Sequence, residues 1–128
     1  MIPLLLSTEE VQTLQQSQIE AWGGIHGLGD AGALESTAAA PLHHFAYGSG
    51  DLFDLAAALM FALISNHPFL DGNKQVGTLA AAVMLEMNGV SLGEDSAWLM
   101  QLQDAAWRAA RAEVSREDLA AVLRAGAV

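Results

Sequence analysis

The chain has 128 residues, 52% of them hydrophobic, and a formal net charge of −10 from 5 Lys and Arg against 15 Asp and Glu. That length suits one domain, 1–128, with a real core, and the hydrophobic content excludes wholesale disorder. The absence of Cys excludes disulfides and thiolate metal sites, and the acidic balance leaves no basic face for nucleic acid. The start, Met1–Leu6, has no basic segment, and the longest apolar run, Leu55–Ile64, is roughly half a transmembrane span. The expectation is a soluble, cytoplasmic protein that touches no membrane.

In chain order, Ser7 with Glu10 three residues on reads as a capping box for a first helix, which Gly23-Gly24 ends. A glycine-rich loop runs to Gly29. Asp30 can cap a second helix, Ala31–Ala40, stopped by Pro41, and Leu42–Gly50 reads as irregular with a turn at Gly48-Ser49-Gly50. Asp51 caps a third helix, Leu52–Asn66, apolar nearly all round and so buried. Pro68 disfavours helix at His67, and Phe69–Gly72 is a tight connector. The fourth helix is Asn73–Asn88, with Val76, Leu79, Ala80, Val83 and Met87 as its buried stripe and Gly89 just beyond it. Asp95 or Ser96 opens a fifth through Ala112, and Ser115 with Asp118 opens a last one ending near Arg124. The fold class expected is all-α, a compact bundle of about six helices, with short strands at 1–6 and 90–92 as an addition. Trp22, Trp98 and Trp107 are spaced as helix-packing residues, and His43 and His44 as structural or surface residues.

The chemistry concentrates in His67-Pro68-Phe69-Leu70-Asp71-Gly72-Asn73-Lys74-Gln75. A short loop between two buried helices has a fixed place against the core. Free amides and the positive end of the dipole at the start of the second helix make an anion site there, and Gly72 lets a ligand approach the backbone closely. Lys74 precedes every other Lys or Arg, the next being Arg108. In the first turn of a helix a cation is disfavoured by about 0.3–1 kcal/mol, a cost that a bound phosphate reverses. Asp71 suits Mg²⁺, a hard ion that takes carboxylate and phosphate oxygens together; its bland reading is a helix-start carboxylate favoured by the dipole. His67 carries an imidazole that can accept a hydroxyl proton; its bland reading is a helix cap. Phe69 reads as the loop's core anchor, and Asn73 as either a helix cap or a phosphate ligand.

The same segment resembles the signature of the Fic/Doc superfamily, H-P-F-x-D/E-G-N-G/K-R. Lys at position 74, the chain length, and the stretches Gly23–Ser36, Asp51–Ala56 and Leu85–Gly89 resemble its Doc branch. The resemblance implies an all-α bundle and a toxin that uses ATP to phosphorylate a threonine of the translation factor EF-Tu, so blocking translation. It implies His67 as the catalytic base, Asp71 as the Mg²⁺ ligand, and Gly72, Asn73, Lys74 and Gln75 as the nucleotide-phosphate segment, with Phe69 fixing the loop. It also implies a partner: an antitoxin whose disordered C-terminal segment folds on the toxin. The motif's closing Arg is Gln75 here, which removes the charge and the guanidinium fork; Arg108 and Arg111 are the candidates to replace it. Two further readings follow from the resemblance. One is an AMP-transferring enzyme of the Fic kind. The other is an impaired homologue that keeps antitoxin binding. No Glu is followed by Gly or Asn, so the self-inhibitory S/T-x-x-x-E-G/N helix of some Fic enzymes has no counterpart.

Overall fold

Three helices begin on reciprocal caps, in which a side chain accepts from the third helical amide and that third residue's carboxylate accepts from the cap amide. They are Ser7 with Glu10, Asp51 with Asp54, and Ser115 with Asp118. The computed structural model describes residues 3–46 and 50–128, among which six helices lie: α1 Thr8–Trp22, α2 Ala31–Ala46, α3 Leu52–Asn66, α4 Asn73–Met87, α5 Ser96–Ala110 and α6 Arg116–Ala125. The all-α class and the number of helices are as the sequence predicts.

Helix α3 is the axis. Eight of its residues, among them Leu59, Met60, Leu63 and Ile64, are buried, and α2, α4, α5 and α6 all pack on it. Gly77 of α4 faces Ile64 and the carbonyl of Met60, where an added Cβ would come within 3.2 Å. The two helices that carry the connector are therefore in close contact, and the position of the 67–72 loop follows from theirs.

Helix α2 runs through Pro41 to Ala46, longer than the predicted Ala31–Ala40. A proline inside a helix costs about 3 kcal/mol in isolation, but here Leu34, Thr37 and Pro41 are buried against α3. The Thr37 hydroxyl also accepts from Asn66 Nδ2 at 3.0 Å. Tertiary packing outweighs the local break. Leu42–Ala46, read as irregular, is its last turn, with His43 exposed and His44 half-buried. The predicted turn at Gly48-Ser49-Gly50 lies outside the described residues except for Gly50.

The strands expected at 1–6 and 90–92 do not form among the described residues. Leu4 is instead held by the Asn88 side chain, which accepts from its N–H at 2.8 Å and donates to its carbonyl at 2.9 Å. Leu92 makes a single bridge to Ala127. On α4 the buried face takes Val76, Ala80, Ala81, Met84 and Leu85, with Leu79, Val83 and Met87 only half-buried. The shift arises because α4 is covered by α3, α1 and α5 rather than from one side. Trp98 is buried and donates to the Val122 carbonyl at 2.7 Å, but Trp22 and Trp107 are 82% and 56% exposed and do not pack as core residues.

Candidate active site

Helix α3 stops at His67, which takes a left-handed conformation at φ 47°, ψ 55°. A residue with a Cβ pays about 1–2 kcal/mol for that conformation, and Pro68 makes continued helix worse. The turn sends Pro68 and Phe69 into the interior, with Phe69 4% exposed, and leaves His67 and Leu70 outside.

Asn73 holds this turn. Its Oδ1 accepts from the Phe69 N–H at 3.1 Å and its Nδ2 donates to the Phe69 carbonyl at 3.0 Å, both buried. Those two bonds fix which way the amide points, so the remaining Nδ2 hydrogen faces His67 Nδ1 at 3.3 Å. A neutral imidazole that accepts it carries its proton on Nε2. Asn73 is not the cap of α4; that position is Gly72, at φ 77°. Its side chain braces the loop and touches the His67 imidazole.

A second wall comes from the glycine-rich segment after α1. The Pro68 carbonyl accepts from Gly29 and Asp30, and Leu70 N–H donates to Gly27. Buried Gln15 of α1 donates to the carbonyls of both Ile25 and Asp71. The Asp71 carboxylate accepts from its neighbour Gly72 at 2.9 Å and from Ile25 at 3.2 Å. Gly24, at φ 119°, lies so close that a Cβ there would sit 2.7 Å from Asp71 Oδ2, so a side chain at this position would displace the carboxylate.

The start of α4 is bare. No side chain caps it, and the backbone amides of Asn73, Lys74 and Gln75 meet no acceptor among the described residues. Three orphan donors and the positive helix end converge there. Lys74, in that first turn, points its ammonium over the indole of Trp107 on α5, 4.5 Å from the ring centroid. At an exposed site such a contact contributes about 0.5–1 kcal/mol, comparable to the cost of a cation at a helix start. Lys74 and exposed Gln75 also line one end of a groove of about 500 Å³ between α4 and α5, closed on another side by Gln18 of α1.

His67, Asp71, Gly72, Asn73, Lys74 and Gln75 thus gather around a single helix start, with Phe69 beneath them. None of His67, Asp71 and Lys74 forms an ion pair among the described residues. Arg108 and Arg111 do not line the groove; they pair with Asp104 at 2.8 Å and Glu113 at 2.9 Å. Nothing in the sequence tied Gln15, Gln18 or Trp107 to this site, since only tertiary packing brings them there. No group of three or more metal-ligating side chains occurs among the described residues. Mg²⁺ held by one carboxylate together with nucleotide phosphates and water still fits Asp71. Each of its oxygens takes one backbone hydrogen, and the side chain is exposed. No helix among the described residues is long and apolar enough to cross a membrane.

Residues 5–85 match the model of the Fic/DOC family. The chain is 31% identical over 120 residues to the protein kinase doc of Escherichia phage P1, covering 93% of this chain and 92% of that one. It is 40% identical over 78 residues to the toxin Doc of Mycolicibacterium smegmatis (strain ATCC 700084 / mc(2)155), covering 59% of each. On a match that spans more than half of its length and takes in the whole loop, the chain belongs to the Fic/Doc family.

Proposed function

We propose that this protein is a cytoplasmic toxin of a toxin–antitoxin pair that transfers the γ-phosphate of ATP to a threonine of EF-Tu. The observation that carries the reading is the start of α4. Three acceptorless amides, one ammonium and one exposed carboxylate converge there beside an exposed imidazole held by Asn73. The phage relative is named a protein kinase and the mycobacterial one a toxin, which supports both halves of the reading.

The amides of Asn73, Lys74 and Gln75, with the Lys74 ammonium, take the negative charge of the nucleotide phosphates. Donors fixed before the reaction cost no reorganisation as charge builds. Gly72 keeps the approach open. Mg²⁺ bound with ATP at Asp71 would screen charge on the phosphates. His67 accepts the threonine hydroxyl proton while the hydroxyl oxygen bonds to the γ-phosphorus and the bond to the ADP oxygen breaks. Its exposed ring can present Nε2 as the base once the Nε2 proton is exchanged to Nδ1, at the cost of one long hydrogen bond to Asn73. Restraint comes from a partner antitoxin whose disordered C-terminal segment orders on the toxin.

A second reading, a homologue with little turnover that keeps antitoxin binding, is favoured by one specific observation. Gln75 carries no charge, and Arg108 and Arg111 are engaged with carboxylates away from the groove. ATP labelled on the γ- or α-phosphate, incubated with EF-Tu and the protein, separates the possibilities. Transfer of γ-label to a threonine is the expected result. Transfer of α-label would mean adenylylation, and tight antitoxin binding with no label transferred would mean the impaired homologue.

A further inference from the structure

We infer that Trp107 is a positioning residue for Lys74: the indole face holds the ammonium at the mouth of the groove, ready for nucleotide phosphate. The inference rests on the nucleotide reading above and adds a residue from α5 to that site. Lys74 has no carboxylate partner among the described residues, and the aromatic face at 4.5 Å takes that place. The substitution matters chemically. A carboxylate would neutralise the ammonium and compete with phosphate for it. A ring holds the cation through its quadrupole and leaves its charge and its N–H donors available.

Trp107 is an unusual choice for any other role. It is more than half exposed, in a helix whose inner face already buries Trp98, Leu102, Ala105, Ala106 and Ala109. Its neighbour Arg108 pairs with Asp104 and Arg111 pairs with Glu113. The cations of α5 and its C-cap are therefore bound to acids while the cation of α4 is left on a ring. A long flexible lysine gains from such a rest. The entropy of fixing its rotamers is lost before the nucleotide arrives, so less is lost on binding.

The test is a double-mutant cycle read by titration calorimetry with Mg·ATP on the whole protein. Trp107→Leu is expected to weaken binding about two- to tenfold, the range that ordering one long side chain before binding supports, with kcat for γ-phosphate transfer little changed. Trp107→Phe, which keeps a ring face, is expected to recover part of the loss. In a Lys74→Met background Trp107→Leu is expected to have no further effect, because Trp107 acts through the ammonium. Equal losses with and without Lys74 would overturn the inference and mean that Trp107 meets the nucleotide itself. An unchanged affinity in Trp107→Leu, with the parent binding normally, would also overturn it while leaving the nucleotide reading intact. A parent that gives no heat with Mg·ATP removes the reading beneath and the inference with it. Melting curves of all variants keep loss of fold separate from loss of contact.

Discussion

At its N-terminal end α3 is closed by Asp51 and Asp54, each carboxylate accepting from the other's amide, and Arg124 reaches Asp51 at 3.0 Å and Asp54 at 3.9 Å while its guanidinium lies over Phe53. At its C-terminal end, 15 residues or about 22 Å away, His67, Asp71 and Lys74 meet backbone, an amide side chain and an aromatic ring, and no ion of opposite sign among the described residues. The first end pairs its carboxylates with a cation inside the molecule. Burial raises the Asp51 pKa, but the Asp54 amide and the Arg124 guanidinium outweigh it and hold the carboxyl below its usual range. The second end keeps a cation, an imidazole, a carboxylate and three helix-start amides without an ion of opposite sign among the described residues. Matched charge is what stability needs; unmatched charge in one place is what a charged ligand needs. In a chain of net charge −10, a lysine left without a carboxylate is the clearest sign of the difference.

The comparison breaks most sharply at His67. His67→Ala should lower transfer by about two to four powers of ten, the usual worth of a positioned base, with the fold unchanged. Labelled-phosphate turnover at saturating ATP checks it, and full activity without the imidazole would place the base elsewhere. Gln75→Arg should sharpen it in the other direction. A charge-assisted phosphate contact contributes roughly 1.5–3 kcal/mol, about one to two powers of ten in rate if made mainly in the transition state. No gain in the same assay would mean that the lost guanidinium does not limit turnover.

Asn73→Ala should cost about 1–3 kcal/mol of stability, because the buried N–H and carbonyl of Phe69 lose their partners. Denaturant unfolding measures it, and a variant as stable as the parent would show that the loop does not depend on this amide. Arg124→Ala should do least. Its pairs are about half exposed, so solvent screening limits the loss to about 1 kcal/mol or less, and phosphate transfer should stay as in the parent. The sign with pH is fixed by Asp51. Its pKa in the fold lies below the ordinary aspartate value, so the stabilisation is fully present above the unfolded-state pKa and is lost as pH falls through the native pKa. Unfolding curves of parent and Arg124→Ala should therefore converge in acid; a gap that persists there would assign the effect to packing on Phe53.

Much of this was legible in the residues. The ends of α1, α3 and α6 are written in side chains three residues apart, Ser7 with Glu10, Asp51 with Asp54, Ser115 with Asp118, and local chemistry decides them. The clustering of His67 to Gln75 around one loop follows because nine neighbouring residues between two apolar helices cannot separate. What was hidden depends on distant partners. Pro41 reads as a stop until α3 is placed against it, and Leu4 reads as strand until Asn88 takes both its backbone groups. Asn73 reads as a cap or a phosphate ligand, yet its side chain holds Phe69. Trp107 is separated by 33 positions of sequence from Lys74, and nothing in either segment names the other.

The central claim is that the anion site lies at the start of α4 and not elsewhere on an acidic surface. Titration of the parent, Lys74→Ala and Arg124→Ala with Mg·ATP tests it most directly. The expected result is measurable binding by the parent, binding about tenfold or more weaker in Lys74→Ala, since a charge-assisted contact of roughly 1.5–3 kcal/mol is lost, and parent-like binding in Arg124→Ala. Equal affinity in the parent and Lys74→Ala, or a loss confined to Arg124→Ala, would contradict it and move the nucleotide away from this helix start.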